Sequence, residues 1–269
     1  MHQRRELLRI IFFGIINLKK MIMKNLKFLM FTFSILGLTL TSCDPSVEAP
    51  GSNDQSVVTY LPLITLEGST NITLDCNTTD YEDPGAVASA GGQEIELFTN
   101  TEGTYFGSSE VNGPDIYSIS YSAFNDDGIP ATNFRSVNWP PCNGDLVTDI
   151  SGMYNVTAMV RTPGYATSDL GPILIRDMGN GMYALSDGIG GWYEHEYGYG
   201  SDYAAKGITI QANNIPANDF TLNVTNATLP WGGTVYLTDF DVDAEAGTIS
   251  VTTAWEGYPY VWEYTMTQM

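Results

Sequence analysis

"DISGMYNVTAMVR", Asp149–Arg161, decides the fold class: Met153, Asn155, Thr157 and Met159 alternate with Tyr154, Val156, Ala158 and Val160. A repeat of two puts successive side chains on opposite faces of a strand, whereas a helix would need apolar residues every three or four positions. The turn residues ahead of it give the strand a clean start. The same pattern returns downstream in "PILIRD", "GMYALSD", "KGITIQA", "FTLNV", "GTVYLTDF", "GTISVTTAW" and "YVWEYTMTQ", each bounded by Gly, Asn, Asp or Pro. Eight short strands joined by turns predict an antiparallel β-barrel or sandwich over residues 146–269, with a meander curling into a barrel as the expected topology. The row Tyr260, Trp262, Tyr264 and Met266 is expected to face its core.

Upstream, "PPCNGD", Pro140–Asp145, interrupts any strand and marks a boundary. Residues 57–141 again show short β-prone runs, among them "VVTYLPLITL", "NITLDC", "QEIELF" and "IYSISYSAF". In the last, Ile116, Ser118, Ser120 and Ser122 alternate with Tyr117, Ile119, Tyr121 and Ala123. The chain is therefore expected to be all-β, with two domains. "YEDPGAVASAGGQEIEL", Tyr81–Leu97, resembles a bacterial immunoglobulin-like module with its DPG turn and GG turn. The hairpin Pro114–Trp139 is similar to that module's closing segment, matching at Tyr117, Tyr121, Ala123, Asp126, Gly128, Arg135 and Val137. The resemblance implies a β-sandwich at 57–141 and says little about function.

The front of the chain concerns destination. Lys24 and Lys27 precede an uncharged apolar run, Phe28–Leu40, the layout of an export signal and short for a membrane span. "LTSC", Leu40–Cys43, resembles a bacterial lipobox, which implies lipidation of Cys43 and removal of residues 1–42; Met21 and Met23 are alternative starts. Residues 43–56 then read as a flexible tether. With Cys43 lipidated, Cys76 and Cys142 remain, either as a disulfide in an oxidising compartment or as two buried thiols.

Export changes the charge. Arg135, Arg161, Arg176 and Lys206 face thirty carboxylates after Cys43, a net charge of about −26. With no basic surface, nucleic acid is excluded as a partner, and an anionic polysaccharide would be repelled. A neutral polysaccharide or oligosaccharide, or a cation, suits this surface better.

Aromatic residues crowd three segments. Gly188–Gly207, "GIGGWYEHEYGYGSDYAAKG", holds Trp192, Tyr193, Tyr197, Tyr199 and Tyr203 among glycines that let the backbone loop tightly. "LPWGG" adds Trp231 and "WEGYPYVWEY" adds Tyr258. Flat rings with polar edges stack on the C–H faces of sugars, and neighbouring carboxylates accept from hydroxyls, so a platform would form if the three loops met. Burial as ordinary core aromatics is the other reading of Trp192 and Tyr193.

Catalysis has weaker support. On a strand, Glu194 and Glu196 would share a face with His195 opposite, the outline of a glycosidase pair. Such pairs arise readily among thirty carboxylates, and the sequence carries no nucleophile elbow, so no catalytic residue and no cofactor is assigned. "DFDVDAEAGTIS" begins like a calcium loop at Asp239, Asp241 and Asp243, but has Ala244 and Ser250 where Gly and Glu belong, and reads better as a hairpin turn closed by Gly247.

Signal, lipobox, immunoglobulin-like module and β C-terminal domain together resemble a Bacteroidetes family of two-domain surface lipoproteins that accompany starch-utilisation-type polysaccharide uptake systems. The resemblance implies an accessory, non-catalytic glycan-binding protein of the outer membrane, facing the cell surface and neighbouring transporter components. A structural or protein-interaction module without its own ligand is the alternative.

Overall fold

In the first lobe, strand β6 (Asp115–Phe124) buries Tyr117, Ile119, Tyr121 and Ala123 and turns its serines outward, as its alternation dictates. It lies between β5 (Leu97–Gly103) and β7 (Pro130–Trp139), and β2 (Asn71–Thr73) joins β7 in parallel. The opposing sheet consists of β1 (Pro62–Leu66), β3 (Ala86–Ala90) and β4 (Gln93–Glu94). Ile64, Ala88 and Val137 complete the apolar cluster between the two sheets. This computed structural model describes residues 58–269, so the expected signal, the tether and Cys43 lie outside the described residues.

The motif residues of this lobe share one buried network. Arg135 is fully buried, pairs with Asp83 and donates to the carbonyls of Glu67, Ser69 and Gly85. Its guanidinium also meets the Tyr121 hydroxyl, which donates to Asp83. A buried guanidinium must have its donors satisfied, and here they clamp the loops before β2 and β3 onto β7. The disulfide Cys76–Cys142, across a separation of 66 residues, ties the segment after β2 to the segment after β7.

The second lobe is a single ten-stranded sheet. Its strands are β8 (Gly152–Thr162), the short β9 (Ala166–Thr167), β10 (Leu170–Gly179), β11 (Met182–Leu185), β12 (Ile208–Asn214) and β13 (Asp219–Thr225). They continue with β14 (Ala227–Thr228), β15 (Thr234–Asp243), β16 (Thr248–Trp255) and β17 (Val261–Gln268). The order β13-β12-β11-β10-β8-β17-β16-β15-β14, with β9 on β8, is a meander whose first long strand pairs with its last, from Thr162↔Val261 to Tyr154↔Gln268.

Between β13 and β15 the curled sheet has a seam, closed by side chains. Asn223 donates to the Leu237 carbonyl and accepts from the Leu237 N–H, both at 2.7 Å. Asn218 does the same to Val242, at 3.2 and 2.7 Å. An amide side chain offers the same donor and acceptor as a peptide group, so each asparagine substitutes for one rung of ladder. Both have positive φ, 57° and 51°, which asparagine tolerates better than most residues. The interior is filled by Tyr154, Val156, Ile173, Ile175, Ile208, Val251, Trp262, Tyr264 and Met266.

One expectation fails locally. Strict alternation would put Met159 on the face opposite Tyr154, yet both are buried. Ala158 pairs with Thr265 and Val156 with Met266, so Thr157 is an extra, bulged residue that reverses the phase of β8. Beyond it, Met159 and Arg161 share the inner face with Tyr264 and Trp262, their cross-strand partners.

The lobes meet through Arg176 of β10. Its guanidinium lies 4.5 Å from the centre of the Phe106 ring and reaches the Asn112 side chain at 3.4 Å, while its aliphatic stem packs beside Gly113.

Candidate functional site

Gly188–Gly207 follows β11 and closes one end of the barrel. Asp187, fully buried, organises it: Oδ1 accepts from the N–H of Ile189 and of Ala205, and Oδ2 from the N–H of Gly191, each at 2.9 Å. The carboxylate thereby ties the start of the loop to its end. Desolvation outweighs these three bonds and pushes its pKa up to about 6. Gly190, at φ 62°, passes so close to the barrel wall that a Cβ there would stand 2.5 Å from Met159 Cε and 3.0 Å from the Tyr264 ring. A left-handed, close-packed position of this kind needs glycine.

The loop then forms a π-helical turn, Trp192–Glu196, and a 3₁₀ turn, Ser201–Tyr203. Two expected platform residues are therefore corrected. Trp192 is 0% exposed and Tyr193 is buried, because the turn drives both rings down into the open end of the barrel, where they stop it. The glycines bring the backbone close to the barrel wall; they do not hold these rings out in water. Arg161 lies between Trp192 and Tyr260, 4.8 Å from each ring centre, so a cation of the barrel interior is held by aromatic faces.

The remaining aromatic residues do converge on the surface. Tyr199 is 52%, Trp231 46% and Tyr258 45% exposed, with Tyr197 also exposed and Tyr203 half-buried. Ring centres are 5.6 Å apart for Tyr197 and Tyr199, and 5.2 Å for both Tyr199–Tyr203 and Tyr203–Trp231. Trp255 continues the series, 6.3 Å from Trp231 and stacked on Tyr258 at 3.9 Å. The Trp255 indole N–H donates to Gly232, which fixes the turn carrying Trp231. Buried Tyr193 lies beneath, 4.7 Å from Trp231 and 5.6 Å from Tyr197. Three loops distant in sequence thus build one ring surface on a rigid base.

The acid pair drawn on a strand is not found in that form, since Glu194, His195 and Glu196 lie in the π-helical turn. Glu196 accepts from the hydroxyls of Tyr165, at 3.1 Å, and Thr167, at 2.9 Å. Glu194 faces His195 at 3.7 Å, and burial raises the carboxyl pKa and lowers the imidazole's. The two carboxylates have different partners and different surroundings.

Asp239, Asp241 and Asp243 lie on the outer face of β15. Asp243 accepts from the N–H of Glu245 and Ala246, and Gly247 has φ 70°, so the segment forms a hairpin turn. Among the described residues no group of three or more His, Cys, Asp or Glu is placed to hold a metal ion. Asp187 and Arg161 escaped the sequence reading; an Asp immediately before a glycine-rich loop is the signal that points to the first.

Residues 143–268 match a family model described as a "-like, C-terminal domain". Among solved structures, the chain is similar to the crystal structure of the lipoprotein BT2262 from Bacteroides thetaiotaomicron. The identity is 27%, the match covers 77% of this chain and 100% of that one, and the TM-score is 0.48. No curated protein matches the chain.

Proposed function

We propose that this is a non-catalytic, lipid-anchored outer-membrane protein whose barrel holds a neutral glycan on the ring surface of Tyr197, Tyr199, Tyr203, Trp231 and Tyr258. The observation that carries the proposal is the convergence of these five side chains from three loops, with the largest rings about half exposed. Isolated exposed aromatics are ordinary, but a contiguous set on a packed base suits stacking against sugar C–H faces. The strongly acidic chain favours an uncharged ligand, and the lipobox-like "LTSC" supports the anchor.

Titration against a panel of neutral polysaccharides tests this. At least one should bind, and Trp231→Ala or Tyr258→Ala should weaken it about tenfold, corresponding to about 1.4 kcal/mol, with the variants still folded by circular dichroism. Trp192→Ala is unsuitable, because that ring is core. A panel without a binder would leave the ligand-free interaction module as the better reading. Phe98, Phe124 and Phe134, exposed on the outer face of the four-stranded sheet, favour that alternative.

A further inference from the structure

Arg161 leaves β8 on the inner face and ends beside Trp192, at the barrel end that carries the ring surface. Its guanidinium is one rung of a stack. Trp192 and Tyr260 cover its faces at 4.8 Å, Trp255 follows 6.1 Å beyond Tyr260, and Tyr258 lies on Trp255 at 3.9 Å. Burial raises the hydroxyl pKa of Tyr193, the ring beneath Trp231 and Tyr197, and the neighbouring Arg161 charge opposes that rise. The cation therefore borders the proposed glycan surface.

Thirty carboxylates follow Cys43, yet among the described residues Arg161 forms no ion pair and its side chain makes no hydrogen bond. Only its Nε is both buried and unpartnered; the terminal nitrogens keep access to water. Rings on the faces of a guanidinium leave its N–H groups free, because these lie in the plane. What stays open is a planar fork of donors, held by stacking and by the close approach of Gly164, where a Cβ would stand 2.8 Å from Nε. Such a fork takes two oxygens side by side. A carboxylate has that shape, but a ligand rich in carboxylates would meet the field of the acidic chain. Adjacent hydroxyls of a neutral sugar ring supply the same pair of acceptors without the charge.

We propose that Arg161 is the hydrogen-bonding anchor of the ring surface, donating its terminal N–H groups to two adjacent hydroxyl oxygens of a neutral sugar unit seated beside Tyr260 and Tyr258. This assignment rests on the glycan reading above and adds a ligand class to it, sugars with a free pair of adjacent hydroxyls. The full chain is titrated with dextran, soluble starch and galactomannan, which have such pairs, with laminarin, whose chain units lack them, and with polygalacturonate, which is charged. At least one of the first three should bind, more tightly than the last two, and binding should hold as salt is raised, because the acceptor is uncharged. Arg161→Met, which keeps the stem and removes the fork, should weaken binding about tenfold or more. Arg161→Lys, which keeps the charge without the fork, should weaken it several-fold. Circular dichroism checks the fold of each, and Arg161→Lys carries the test if Arg161→Met does not fold. If Trp231→Ala weakens binding while the folded Arg161 variants leave it intact, the role of Arg161 is overturned and the glycan surface stands. If laminarin or polygalacturonate binds best, the ligand class is overturned. If no probe binds, both readings fall.

Discussion

Asp187 holds three backbone N–H groups with a side chain that burial favours in its neutral form, and this tension makes the loop sensitive to pH. Its folded pKa, about 6, lies above the ordinary carboxyl value near 4. A raised acid contributes most to stability below about pH 4, and that contribution is lost as pH rises through about 6. Its size is at most about 3 kcal/mol. His195, depressed by burial, acts in the opposite direction, destabilising the fold as pH drops below the ordinary imidazole value. Asp187 and His195 are coupled, since the Asp187 charge raises the imidazole pKa, so the difference in denaturant unfolding between wild type and Asp187→Asn from pH 4 to 8 reports Asp187 together with that coupling. That difference should shrink in favour of the variant as pH rises. At pH 4 the variant should be weaker by about 1–3 kcal/mol, since an amide nitrogen cannot accept from Gly191. Trp192→Ala should cost about 3–5 kcal/mol by emptying the barrel end. Glycines on both sides of Trp192 were legible as a tight loop, but whether a ring points into or out of a barrel depends on what lies beneath, and Met159 and Tyr264 are remote in sequence.

At the scale of elements, all eight long strands of the barrel were legible, because each alternates and is bounded by turn residues. The bulge at Thr157 was not, since a bulge is a property of a strand and its partner together. The seam was equally hidden: Asn218 and Asn223 read as turn residues, and only the closed sheet gives their amides a ladder to complete. Asn223→Gly tests that role. Glycine accepts φ 57° more readily than asparagine, so backbone strain alone would predict a gain. The expected result is a loss of about 1–3 kcal/mol, from leaving the N–H and carbonyl of Leu237 unpaired. Hydrogen exchange at the Leu237 amide should accelerate with it, whereas unchanged protection would mean that water or backbone closes the seam.

At the scale of the molecule, the lobes are joined by few specific contacts, and Arg176 is prominent among them. Arg176→Ala should leave both apolar clusters folded while loosening their mutual orientation, read as a larger radius of gyration by small-angle scattering at constant circular dichroism. Reducing Cys76–Cys142 should lower stability by up to about 4 kcal/mol, the loop-closure value for a separation of this length. The cysteine pair was legible by arithmetic once Cys43 was assigned to lipid, and Cys43→Ala should move the protein from membrane to soluble fractions. The interface itself was not legible, because Arg176, Phe106 and Asn112 carry no pattern that links them in one dimension.

The pairing of β8 with β17 has a consequence for biogenesis. Roughly a hundred residues separate the partners, so closure of the barrel waits until Val261–Gln268 has been made and is free to pair. A chain held short of Val261 would leave both β8 and β16 with a bare edge, a template for pairing with other chains. Protection of those edges is therefore needed most during that interval, and the tolerance of this protein for slow completion of the chain should be set by its last strand.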